Sequence, residues 1–171
     1  MTKSNTTPAT RHRGRRILGH AQEDHILDPY QRQKKLHEPT WCPQCNAVYQ
    51  QGRWHWAVKP TNAHETLCPA CHRINDRLPA GVVTLSGAFA LAHKDEIIGL
   101  ARRQEEAEKQ EHPLNRIMSI EERDDGIVIK TTDIHLPRRI GAAQKRAFHG
   151  QLDVHFDESG YFARVDWQRE A

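Results

Sequence analysis

Two Cys-Pro-X-Cys segments, Cys42-Pro43-Gln44-Cys45 and Cys68-Pro69-Ala70-Cys71, constrain the folding of this chain more than any other feature. In each, a tight turn aims two sulfurs at one point, with backbone amides placed to donate to the thiolates. Two such turns brought together complete a tetrahedral thiolate shell with no open position. Residues 46–67 separate the pairs, slightly more than in most zinc ribbons, and the spacing still reads as one structural zinc ion held by Cys42, Cys45, Cys68 and Cys71. A redox Cys-X-X-Cys needs a thioredoxin-like βαβ setting, which neither pair has. His55, His64 and His72 lie close by and read as surface or supporting groups, because four thiolates already fill the shell.

A closed shell also argues against catalysis, since catalytic zinc keeps one position for water. No nucleophile–base pair stands at a recognisable spacing elsewhere, and the 12 histidines are scattered. The chain is therefore expected not to be an enzyme and to take no small-molecule substrate.

A metal staple also accounts for the composition. The 171 residues are only 37% hydrophobic, with a mean hydropathy of -0.81, low for a chain that must bury one large core. The formal net charge is +3, but four thiolates around one divalent ion carry a net −2 and bring the protein to about +1. Distribution says more than the total. Residues 1–60 hold ten Lys/Arg against four Asp/Glu, and residues 61–171 hold fifteen against eighteen. No apolar run approaches a transmembrane length. The charged start, Met1 to Arg16, has no apolar stretch behind it and does not read as a secretion signal. Close cysteine pairs without such a signal point to a reducing cytoplasm, where a disulfide framework is disfavoured.

Three segments follow from the patterning. Residues 1–40 are poor in apolar residues and broken by Pro8, Pro29, Pro39, Gly14 and Gly19, which reads as a basic, largely disordered arm. Residues 41–78 form a four-cysteine zinc-ribbon module, with a hairpin expected about Gly52. Residues 79–171 read as an α+β domain in the order β-α-β-β-α-β-β: a strand at Val82–Leu85, a helix from His93 to about Gln110, strands at Arg116–Glu121 and Ile127–Thr132 about Asp124-Asp125-Gly126, a helix from His135 to His149, and a final hairpin of Leu152–Phe156 and Tyr161–Trp167. The helical tail EEAEKQE reads as a solvated face. The first six elements have the connectivity of a ferredoxin-like split βαβ fold, with one added strand.

The candidate nucleic-acid contacts are cationic. Arg11, Arg13, Arg15 and Arg16 make one cluster in the arm, and Arg32, Lys34 and Lys35 a second; such arms neutralise phosphates and can fold on RNA. Arg53 stands beside Trp54 and Trp56, whose indoles either stack on bases or fill the small core of the module. On the second helix, Leu136, Ile140, Ala143 and Ala147 fall on one side at 100° per residue, and Arg138, Arg139, Lys145 and Arg146 on the other.

The run Trp41-Cys42-Pro43-Gln44-Cys45-Asn46-Ala47-Val48-Tyr49, then Gly52-Arg53-Trp54 and Cys68-Pro69-Ala70-Cys71-His72-Arg73-Ile74, resembles a family of small bacterial zinc-ribbon proteins without an established biochemical role. The segments HPLNRI and TTDIHLPRRIG resemble it too, so the likeness spans most of residues 28–167. More remotely, the paired knuckles are similar to the N-terminal zinc region of the archaeal and eukaryotic adaptor that accompanies the large ribosomal subunit. That likeness implies ribosome or structured-RNA binding. Here only one pair of knuckles is present, and Asn46 stands where glycine commonly follows such a knuckle. The expectation is a cytoplasmic, zinc-binding, RNA-associated factor working on the ribosome. The alternatives are an adaptor docking on a protein partner through the ribbon and sheet face, a zinc-dependent DNA-binding regulator and, last, a thiol oxidoreductase.

Overall fold

The computed structural model describes Tyr30 and residues 35–171. The reading of the arm, and with it Arg11, Arg13, Arg15, Arg16, Arg32 and Lys34, lies outside the described residues.

The cysteine module begins with four short strands: β1 (Thr40–Trp41), β2 (Ala47–Gln50), β3 (Arg53–Trp56) and β4 (His64–Glu65), in sheet order β3-β2-β1-β4. The expected hairpin is present. Gln51 and Gly52 both have positive φ, 54° and 75°, the geometry of a two-residue turn that matches strand twist. The Glu38 carboxylate pins this turn by accepting from the amides of Gln51 (2.7 Å) and Gly52 (3.2 Å).

The second Cys-Pro-X-Cys departs from a ribbon, because it opens a helix, α1 (Pro69–Asp76). Cys68 is the N-cap, with Pro69 in the first turn where its missing N–H costs nothing. Arg77 adopts the left-handed conformation (φ 56°), and the amides of Arg77 and Leu78 return to the carbonyls of Ile74 (3.3 Å) and Arg73 (3.0 Å). That is a Schellman closure. Pattern reading does not reach this eight-residue helix because it is short and the residues it buries are Ala70, Cys71 and Arg73, which form no long apolar period.

From residue 81 onward the order is β5 (Gly81–Ser86), α2 (Ala88–Ala92), α3 (Lys94–Glu111), β6 (Ile117–Arg123), β7 (Gly126–Thr131), α4 (His135–Phe148), β8 (Gln151–Phe156) and β9 (Ala163–Gln168). The short α2 is an addition to the expected order. The protein is thus a mixed α+β molecule with two sheets, the second in the order β6-β7-β5-β9-β8. β5 and β6 run parallel with β7 between them, antiparallel to both, which makes one split βαβ unit. The added strand is not appended at an edge. β9 lies parallel to β5 and antiparallel to β8, so it sits between them and pushes β8 to the rim.

Alternation along the strands decides what each face contacts. Val83, Leu85, Ile127, Ile129, Val165 and Trp167 are fully buried and meet Ile97, Ala101, Leu136 and Ile140 from the helices. Burying an Ile or Leu of this kind contributes about 2 kcal/mol. Helix α4 comes close because residue 141 is glycine: a Cβ there would lie 2.6 Å from Val165 Cγ1 and 2.7 Å from Leu152 Cδ1. The opposite sheet face is mostly polar, with Thr84, Glu121, Lys130, Asp153, His155, Arg164 and Asp166 in register across it around Val82 and a buried Val128. Lys130 and Arg123 both bind the Glu121 carboxylate (2.6 and 3.1 Å).

Candidate metal centre and cationic helix

Three structural devices bring the four cysteines together. In the first turn the Cys42 amide bonds the Ala47 carbonyl (2.9 Å), and the Asn46 amide bonds the Cys42 carbonyl (2.8 Å). Asn46 takes a positive φ of 67°, as glycine would, since asparagine tolerates the left-handed region. In the second, the Cys68 and Cys71 sulfurs lie at the start of α1, and the Cys71 amide donates to Cys68 Sγ (3.4 Å). Parallel pairing of β1 with β4 then lays the two turns side by side, and the Cys68 amide donates across to Cys42 Sγ (3.3 Å).

The four Sγ atoms all lie within 4.8 Å of one another, and Cys45 Sγ is 3.7 Å from Cys68 Sγ. Four ligands at a zinc–sulfur distance of about 2.3 Å stand about 3.8 Å apart along each tetrahedral edge. The donor set therefore fits one metal ion held by Cys42, Cys45, Cys68 and Cys71. Cys42, Cys68 and Cys71 are fully buried, packed with Ala70 and against Trp54, Leu67 and Leu114.

One further residue touches the sulfurs, and it comes from beyond the cysteine module. Arg116, just before β6, places Nη2 3.3 Å from Cys68 Sγ and 3.4 Å from Cys71 Sγ. Its Nε is buried without a partner. Burial opposes the guanidinium charge, but the hydrogen bond to Cys71 and the charge of the sulfurs outweigh it and hold the pKa above its ordinary value. Among the free thiols, hydrogen bonds from Cys68 and Cys71 keep Cys45 far below the usual range, with a smaller contribution from Arg116. Sharing with Cys45 pushes Cys68 well up and Cys71 up to about 11. A metal ion takes all four sulfurs as thiolates, so its binding would release protons from the cluster.

The histidines near the motif stay out of the shell. His64 stacks on His37 with ring centroids 4.6 Å apart, and His72 lies 6.5 Å from Tyr30. The two tryptophans divide their work. Trp54 pairs across the hairpin with Tyr49, rings 5.5 Å apart, and packs on the cysteines. Trp56 is partly exposed and donates from Nε1 to the Lys109 carbonyl (2.7 Å), one of the otherwise unpaired carbonyls at the end of α3. Arg116 and Trp56 are thus two ties between the metal centre and the five-stranded sheet domain.

The cationic candidates scatter more widely. Arg53 is exposed at the hairpin tip and Lys35 is exposed ahead of β1, while Arg138, Arg139, Lys145 and Arg146 are all exposed on α4. Leu136, Ile140 and Ala143 are buried on its other side as expected; Ala147, also expected there, is exposed. Arg139 is the anchored member, with Nε 2.7 Å from Glu108 Oε2. Glu108 is a correction to the sequence reading: it belongs to the stretch that reads as solvated, yet only 5% of it is exposed. Its carboxylate also accepts from Asn115 Nδ2 (3.0 Å). Asp133 caps the helix, its Oδ2 accepting from the amides of His135 (2.7 Å) and Leu136 (3.0 Å).

Set against known proteins, the chain matches no family model, no curated protein and no solved structure. Among the described residues, no helix is long and apolar enough to cross a membrane.

Proposed function

We propose that this is a non-enzymatic, zinc-stapled RNA-associated protein whose partner is the ribosome or another structured RNA in the cytoplasm. Zinc is the metal that suits four thiolates in a closed tetrahedron, and its role is to hold the small module together. The observation that carries the RNA reading is the composition of α4. It exposes Arg138, Arg139, Lys145 and Arg146 and contains no Asp or Glu over its 14 residues. Ordinary solvated helix faces mix both signs, whereas a face of one sign attracts phosphates. Arg53 and Lys35 are exposed as well, and the arginines of residues 1–40 are further candidate phosphate contacts.

Sucrose-gradient fractionation of cell extract at two salt concentrations tests the partner. Co-migration with ribosomal subunits at low salt and its loss at high salt is the expected result; absence from every ribosomal fraction overturns the reading. In a purified system, K145E/R146E should weaken binding to structured RNA and lower the salt slope by about 1 for each phosphate contact removed.

A further inference from the structure

The outer flank of α4 and the rim strand β8 enclose a groove of about 420 Å³ lined by His135, Arg138, Arg139, Ala142, Leu152 and Val154. We propose that it docks an extended acidic segment of another protein, which adds to β8 as a sixth strand. This goes beyond the RNA reading and does not depend on it.

Three observations meet there. First, among the described residues β8 pairs with β9 alone. The register shows which of its backbone groups are free. The Asp157 amide bonds the Phe162 carbonyl (3.0 Å), and the amides of Ala163 and Arg169 turn away to the carbonyls of Ala80 (3.0 Å) and Ser86 (3.1 Å) beside β5. Bonded and non-bonded pairs alternate in an antiparallel ladder. Gln151, Asp153 and His155 therefore bond β9, while Leu152, Val154 and Phe156 turn their N–H and C=O groups to the open edge.

Second, the side chains of those same three residues share one side of β8, and Leu152 and Val154 line the groove. They lie on the helix-facing side of the sheet, but α4 covers only Leu152. Val154 is 37% exposed and Phe156 46%. The strand QLDVHF has neither lysine nor proline, the residues that commonly protect a sheet edge. Free backbone groups together with alternating apolar positions are what strand addition uses.

Third, the wall is cationic and no acid lines the groove. Arg138 lies 5.9 Å from the Phe156 ring, and Lys145 lies two turns further along the same flank. A second copy of this chain pairing through β8 would bring like charges together. An acidic partner is complementary. Nucleic acid satisfies the wall but has no use for the strand edge.

The test uses the full chain and a labelled peptide about eight residues long, in which threonine alternates with glutamate and valine; a control carries lysine in place of glutamate. Fluorescence anisotropy should show salt-sensitive binding of the glutamate peptide and none of the control. In Val154→Pro the lost N–H is one that β9 does not use, so the fold is kept while peptide affinity falls about tenfold. Arg138→Glu should weaken the peptide as well. In the wild-type protein, hydrogen exchange at Leu152, Val154 and Phe156 should slow when peptide is added, a readout that needs no variant. Unchanged exchange at those amides overturns the proposal. So does equal binding of the lysine control, or a dimer that Val154→Pro dissociates. An oligouridylate that displaces the peptide and is itself weakened by Val154→Pro assigns the groove to RNA and also overturns it.

Discussion

A guanidinium is expensive to bury, and Arg116 is half-buried, with its Nε buried and unpaired. What compensates is the sulfur charge it faces: four thiolates and one divalent ion carry a net −2, and a cation at hydrogen-bond distance halves it. Groups that touch metal ligands in this way tune affinity as strongly as they tune geometry. Arg116→Gln, which removes the charge and shortens the donor, should lower metal affinity by about 10–100-fold in competition with a chromophoric chelator; an unchanged affinity would reduce Arg116 to a packing role. The four cysteines are legible at once because their chemistry is local: each turn holds two sulfurs within four residues. Arg116 is not, as it follows Cys71 by 45 residues and stands in a segment with no metal-site pattern. Glu108 is hidden for a related reason. A run of charged residues looks solvated until the partners that bury one of them, Asn115 and Arg139, are known.

At the scale of elements, local signals suffice wherever the apolar period is long. The extents of α3 and α4, most of the buried side of α4 and the turn at Gly52 follow from spacing and turn chemistry, and bounds agree within about two residues, the normal disagreement at helix and strand ends. Helix α1 escapes such reading because its eight residues bury only Ala70, Cys71 and Arg73, too few for an apolar period. The cap of α4 offers a test of element stability with a defined sign. Burial pushes the Asp133 carboxyl above its ordinary range, against the two amides that bond it, and Oδ1 has no partner. A carboxyl raised in the folded state contributes stability that is fully present below its unfolded pKa of about 3.9 and is lost as pH rises through the folded value. Asparagine caps as well as aspartate without a charge to desolvate. Asp133→Asn should therefore raise the urea midpoint at pH 7, with the gain vanishing as the pH is taken below about 4.

For the molecule as a whole, the two parts differ in what holds them. The five-stranded sheet has its own large apolar core, whereas the cysteine module buries mainly its sulfurs with a few small or mid-sized side chains such as Ala47, Val48 and Ala70. Chelation of the metal should thus cost the amides of β1–β4 and α1 their protection from hydrogen exchange while β5, β7 and β9 keep theirs. Loss of protection across both parts at once would mean that the Arg116 and Trp56 ties make them one cooperative unit. Strand order is the part of this architecture that pattern reading could not reach. Each strand of residues 81–168 has a local signature, but the neighbours of β9 are set by how its alternation fits between β5 and β8, which pairs residues as distant in sequence as Gly81 and Ala163.

That placement also governs when the sheet can form. During synthesis β5, α3, β6, β7, α4 and β8 all emerge before the strand that must join them, and β8 has no lateral partner among them. Until β9 is made and slots in, both β5 and β8 present open edges, and the final step closes the longest loop in the domain. Sheets that wait for such a distant contact fold slowly, on a scale of milliseconds to seconds, and are exposed to mispairing meanwhile. A nascent chain is consequently exposed to aggregation through both edges until β9 is complete.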